Sequence, residues 1–291
     1  MKGRLLTSIV LSLALAGSAA GQLTGDFLDV GIVSVKPEKR AEFESIIKKM
    51  VEANRKHQGD AWLTYEAAYG PGNTYVYVTP RKNYAAIETA YASFMGAMNK
   101  SLGPTATVKL MQDFSNCLSS SRSEFRRRRF DLGANAPSDE AGMSKLIGEA
   151  RWIRTFTVHV RPGRGRDYEE QLRIAKKARE QASPKVVSMV SQAVAGHSGI
   201  VYYITNIVTS LGGLDSIPGL PEVLGEEGYK NYLRTASEIV LDSEVAIYRI
   251  VPELSNMNEA VVSVAPDFWR PKPPALVKPK ATTAAGETKK Q

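Results

Sequence analysis

The chain has a single cysteine, Cys117, so no intrachain disulfide can form and stability has to come from packing. No neighbouring histidine or basic group is placed to lower its pKa, and it reads as a small buried helix residue rather than a nucleophile. Histidine is scarce as well. His57, His159 and His197 form neither a close ligand pair nor an HExxH spacing, which leaves no metal motif. No G-x-S-x-G elbow accompanies Ser119, Ser120, Ser121 and Ser123. The GRGR run at Gly163 to Arg166 lacks the third glycine and the Lys-Ser/Thr of a phosphate loop. Long apolar runs are missing too. Leu5 to Ala16 is about 12 residues against the roughly 20 that span a bilayer, and no other run comes closer to spanning one.

That short run has a different reading. Lys2 and Arg4 precede it and the small residues Gly17, Ser18, Ala19, Ala20 and Gly21 follow, the pattern of a secretory signal peptide over residues 1–21. The expected location is secreted or periplasmic, with no membrane span once the leader is removed. At the other end, residues 256–291 become rich in proline and lysine, with too little apolar surface to offset the entropy of folding, and read as a disordered tail. Phe268 and Trp269 are the residues there able to pack onto the body.

These ends change the meaning of the formal charge of +8. The leader holds +2 of it and residues 265–291 hold +4, which leaves a body of +2. A nearly neutral body argues against a nucleic-acid partner.

The body is organised by an echo. Val33 to Glu44, VSVKPEKRAEFE, returns as Val158 to Glu169, VHVRPGRGRDYE. In each copy two valines alternate with polar residues, as in a strand, and a proline then opens a helix at a position where its missing N–H costs nothing. Phe43, Ile46, Ile47, Met50 and Val51 form an amphipathic stripe in the first copy. Tyr168, Leu172, Ala175 and Ala178 form a weaker one in the second.

Around each copy the same order is expected. In the first, strands at residues 61–69 and 74–79 form a hairpin about the turn Gly70 to Asn73. A helix follows Tyr84 with Ile87, Ala90, Tyr91, Phe94, Met95 and Met98 on its stripe, then a further helix at residues 105–117 and a strand at 123–130. In the second copy come a strand at 152–161, a helix at 164–181, strands at 186–194 and 200–207, a loop at 215–225, a helix at 226–240 and a strand at 243–251. The expected units are residues 22–131 and 150–255, with residues 132–149 as a linker.

Two β-α-β-β-α-β units, each with an alternating strand, a Lys/Arg-Pro step and an aromatic-plus-acid helix start (Phe43-Glu44, Tyr168-Glu169), resemble the dimeric α/β-barrel superfamily. That superfamily includes antibiotic-biosynthesis-type monooxygenases, NIPSNAP-type domains, stress-responsive barrel proteins and haem-handling chlorite-dismutase relatives. The resemblance implies an α+β fold, two ferredoxin-like units fused in one chain with their sheets packed face to face as a barrel. It also implies a monomer carrying an intrachain pseudo-dimer. Its motifs carry an architecture and no catalytic residues.

If Val33, Val35, Val158 and Val160 face the helices, Ser34 and His159 face the enclosed space. Copy-to-copy matching pairs Glu66 with Gln192 and Tyr77 with Tyr203, and these six residues are the candidate ligand-binding set. In Arg126 to Arg129, strand geometry sends Arg126 and Arg128 to one face and Arg127 and Arg129 to the other. An arginine pair aimed inward suits a carboxylate or phosphate, and a pair at the rim is edge protection. The leading reading is an exported binder of a small apolar or aromatic molecule held between the barrel halves, with no cofactor. The alternatives are a cofactor-independent monooxygenase-like or haem-handling enzyme, suggested by the resemblance, and a non-catalytic structural protein.

Overall fold

The computed structural model describes residues 23–182 and 186–271. The leader at 1–21 and the chain beyond residue 271 lie outside the described residues. In β1 (Phe27–Val35), Val30 packs on one side while Val33 and Val35 pack on the other, as the period of two requires. Pro37 opens a 3-10 turn that runs into α1 (Arg40–Lys56), whose buried side is the expected stripe of Phe43, Ile46, Ile47, Met50 and Val51. β2 (Leu63–Tyr69) and β3 (Thr74–Arg81) form the hairpin. α2 (Ala85–Leu102), α3 (Pro104–Asn116) and β4 (Leu118–Arg128) complete the first unit. Tyr91, expected on the buried side of α2, is exposed, whereas Cys117 is buried at the end of α3.

After α4 (Glu140–Glu149), the order repeats as β5 (Trp152–Val160), α5 (Gly165–Ala182), β6 (Ser188–Ala195), β7 (Ile200–Val208), α6 (Leu220–Ile239) and β8 (Val240–Ile250). α6 begins inside the stretch read as a loop, because Gly225, at φ 69°, kinks the chain between two helical pieces. Each half runs through the strand order 2-3-1-4 or its counterpart 6-7-5-8.

All eight strands close into one antiparallel barrel in the order β1-β3-β2-β8-β5-β7-β6-β4. The two four-stranded sets therefore meet at their edges, through β2–β8 and β4–β6, rather than as separate stacked sheets. Closure pairs β4 with β6 from Phe125 to Arg128, so the arginine run does not lie on a free edge.

Three cores result. One fills the barrel around Val30, Leu63, Ile153 and Ile207. The second lies between the outer sheet face and α1–α3, and the third beneath α5 around Tyr168, Leu172 and Tyr202. The stretch expected as a linker is part of the first. Met143 and Ile147 of α4 sit in the barrel core, and the Asp139 carboxylate caps the helix by accepting the Gly142 N–H at 2.8 Å. The beginning of the expected tail is ordered by the same surface. α7 (Glu259–Val262) and α8 (Pro266–Trp269) pack on α4, and the buried Trp269 donates Nε1–H to the Gly148 carbonyl at 3.0 Å. No helix among the described residues is long and apolar enough to cross a membrane.

Candidate functional site

The two echoed helix starts lock onto the sheet in the same way. Tyr75 donates to Glu44 at 2.7 Å and Tyr202 donates to Glu169 at 2.9 Å. Tyr75 is therefore the counterpart of Tyr202, and Tyr77 the counterpart of Ile204. Matching Tyr77 with Tyr203 is one residue out, and in a strand one residue reverses the face. Tyr77 belongs to the layer beneath α1–α3, while Tyr203 points into the barrel and donates to Glu124 at 2.7 Å.

The other candidate residues separate as well. Glu66 faces outward, held by Arg40 at 2.6 Å and Arg249 at 3.3 Å. Gln192 is in register with Tyr202 and Arg127 and shares their outward side. Ser34 and His159 lie on the inward face at the rim. Ser34 Oγ is 3.5 Å from Thr74 Oγ1, and His159 Nδ1 is 3.2 Å from Asp242, with the ring 5.0 Å from that of His197. The six residues do not converge on one site. Arg126 and Arg128 do face inward, while Arg127 lies over the Phe27 ring and Arg129 pairs with Asp131 and Glu169.

A constellation absent from the sequence reading does converge. The outward positions of β1 and β3 bring Asp29 opposite Thr79, Gly31 opposite Tyr77 and Phe27 opposite Arg81. Helices α1–α3 roof this patch with Ile47, Met50, Phe94, Met111 and Phe114, and Trp62 closes its side. The pocket has a volume of about 240 Å³. Gly31 keeps it open, since a Cβ there would meet nothing nearer than Tyr77 at 3.8 Å. The counterpart of Gly31 is Phe156, which packs against the core beneath α5. That substitution, together with Asp29 in place of Arg154, is the signal in the sequence that could have found the site.

The polar end of the pocket is a buried arginine between two carboxylates. Arg81 binds Asp60 through both terminal nitrogens, at 2.8 and 2.6 Å, but approaches Asp29 only to 3.4 Å. Asp60 is itself fixed by Asn54, whose Oδ1 accepts the Asp60 N–H at 3.1 Å, and by Asn256, which donates to the Asp60 carbonyl at 2.7 Å. Burial raises the Asp29 pKa, and the Arg81 charge and hydrogen bond only partly offset it. Two carboxylates share one cation, so Asp29 is the group left to accept a proton or a donor hydrogen bond. Nearby, the Tyr77 ring forms part of the wall and its buried hydroxyl has no partner.

A second, smaller space of about 110 Å³ lies inside the barrel, lined mainly by aliphatic side chains. Neither space presents the histidine or cysteine that usually holds haem iron, and both fall below the ~300 Å³ at which pockets for drug-sized ligands begin. Haem, larger than such ligands, does not fit the residues present. Among the described residues no group of three or more ligating side chains could hold a metal ion.

No protein-family model matches the sequence, and no curated protein matches it. Solved structures do. A candidate monooxygenase from Lactobacillus acidophilus NCFM matches at 10% identity and a TM-score of 0.48, over 77% of this chain and 93% of its own. An anthrone oxidase-like protein matches at 12% identity and 0.49, over 77% and 91%. A chlorite dismutase from Candidatus Nitrospira defluvii matches at 9% and 0.42, over 83% and 96%.

Proposed function

We propose that the protein binds a small, flat aromatic molecule in the pocket beneath α1–α3, with a hydroxyl or amine of the ligand donating to Asp29. The observation that carries this reading is the Arg81 arrangement. Its guanidinium is committed to Asp60 and leaves the Asp29 carboxylate weakly held at the polar end of an otherwise aromatic and aliphatic pocket. Such a pocket, with apolar walls and few convergent polar groups, is the usual form of a small-molecule site. This ligand site lies beneath the helices of the first unit.

One observation favours a catalytic version. A carboxyl whose pKa is raised by burial is suited to take a proton from a bound hydroxyl, the first demand of a cofactor-independent oxygenation. In that version Asp29 is the general base and Arg81 holds it in place.

The test uses 2-naphthol as a ligand and reads the fluorescence of the three tryptophans, of which Trp62 lines the pocket. Saturable quenching in the wild type, abolished by Gly31→Leu, is expected; equal quenching in both would remove the pocket from consideration. Export remains our proposal from the leader pattern, and a mature N-terminus at Gly21 or Gln22 in protein recovered outside the cytoplasm is its expected result.

A further inference from the structure

The barrel cavity is closed at one end by Met143 and Ile147, and Leu28, Val30, Leu63, Ile153 and Ile207 are among its walls. Two arginines reach it. Arg126 is neutralised, because its Nε and Nη2 lie 2.8 and 2.7 Å from Glu124 and its guanidinium stacks 3.4 Å over the Tyr203 ring. Arg128 is not. Its Nη1 donates to the carbonyls of Leu23 and Gly25, its Nη2 lies 3.8 Å from Met143 Sδ, and its guanidinium sits 4.5 Å over the Phe130 ring. Among the described residues no carboxylate lies within ion-pair distance of it.

The nearest acid on α4 is already engaged. Glu140 accepts from the Leu23 N–H at 2.8 Å and from the Thr24 N–H and hydroxyl at 3.2 and 3.1 Å. Burial lowers the Arg128 pKa to about 10, which still leaves it charged at neutral pH. Holding the Leu23 and Gly25 carbonyls accounts for Nη1. It does not account for a cation whose facing acids, Glu140 and Asp26, act on it only from beyond ion-pair distance, beside an aliphatic cavity, a costly arrangement unless something pairs with it more closely.

We infer that this cavity takes a small carboxylic acid with an apolar body, its carboxylate paired with the uncommitted N–H groups of Arg128. A guanidinium matches a carboxylate in shape and charge. The size limits the acid: an apolar cavity of ~150 Å³ holds one benzene ring, and this one is about 110 Å³, so its apolar body is a short chain. The site lies on the opposite face of the same strands from the pocket beneath α1–α3, the two sharing Trp62 and Thr79 in their linings.

Calorimetric titration of the full chain with propionate and butyrate, against 1-propanol and 1-butanol, tests the inference at neutral pH. The wild type is expected to bind each acid at least about tenfold more tightly than its alcohol. Arg128→Met should abolish that preference and Arg128→Lys should keep part of it, with melting curves confirming that each variant is folded. Should Arg128→Met not fold, Ile153→Trp fills the cavity without touching the arginine and is expected to abolish acid binding. Equal binding of acid and alcohol, no binding of either, a preference that survives Arg128→Met, or acid binding that survives Ile153→Trp would overturn it. Gly31→Leu should leave acid binding unchanged, which separates this site from the outer pocket.

Discussion

At the scale of single residues, two carboxyl groups, Glu124 buried and Asp29 half-buried, behave in opposite ways. Burial alone would raise the pKa of Glu124, but the Arg126 charge, hydrogen bonds from Tyr203 and Arg126, and the Arg122 charge outweigh it and hold the carboxyl below its usual range. Its contribution to stability is therefore present above its unfolded pKa and lost as pH falls through the lower folded value. Glu124→Gln should cost about 3 kcal/mol at pH 7. In urea unfolding that cost should begin to shrink below about pH 4, as the unfolded carboxyl takes up its proton, and vanish once pH falls below the lower folded value. Asp29 is the reverse case. Its folded pKa is raised, so ionising it weakens the fold above that pKa and has no effect below the unfolded value. Asp29→Asn should raise the melting temperature at neutral pH and leave it unchanged near pH 3. A loss of stability at both pH values would show that the Arg81 contact dominates. The sequence displayed both carboxylates. It could not show that Asp60 commits Arg81 and leaves Asp29 weakly held, since that depends on loops meeting across the fold.

Among the elements, the alternating strands and the stripe of α1 were legible because each carries its own period. α4 was not. Met143 and Ile147 are its main anchors on the barrel, and a helix this short owes its burial to partners distant in the chain. Gly148 records that packing. A Cβ there would meet Val264 Cβ at 2.4 Å, so Gly148→Ala should destabilise the protein by about 1–3 kcal/mol in thermal or urea unfolding. No change would mean that the α4–α7 contact is loose. The Tyr77 error has a similar origin. The echoed strands are offset by one interval and the hairpins by a slightly longer one, and a single added residue turns an inward side chain outward.

For the molecule as a whole, the repeated strand order fits two fused units in which each supplies the partner a homodimer would otherwise provide, and we hold that duplication as a proposal. A chain ending at residue 139 would expose β2 and β4, whose partners are β8 and β6. Light scattering after size exclusion should find it as a dimer or larger; a folded monomer would contradict the idea that these edges must be paired. The overall α+β plan was legible because it repeats. The pocket was hidden because it depends on where the repeat fails, with Gly31 bare where Phe156 fills space and Asp29 acidic where Arg154 is basic.

The pocket beneath α1–α3 is tested most directly by native mass spectrometry of protein purified from its own host, comparing wild type with Gly31→Leu. Retention of a small organic molecule by the wild type, and its loss in Gly31→Leu with the fold intact, is the result predicted. Bare wild-type protein in repeated preparations, or a ligand held equally by both, would contradict it.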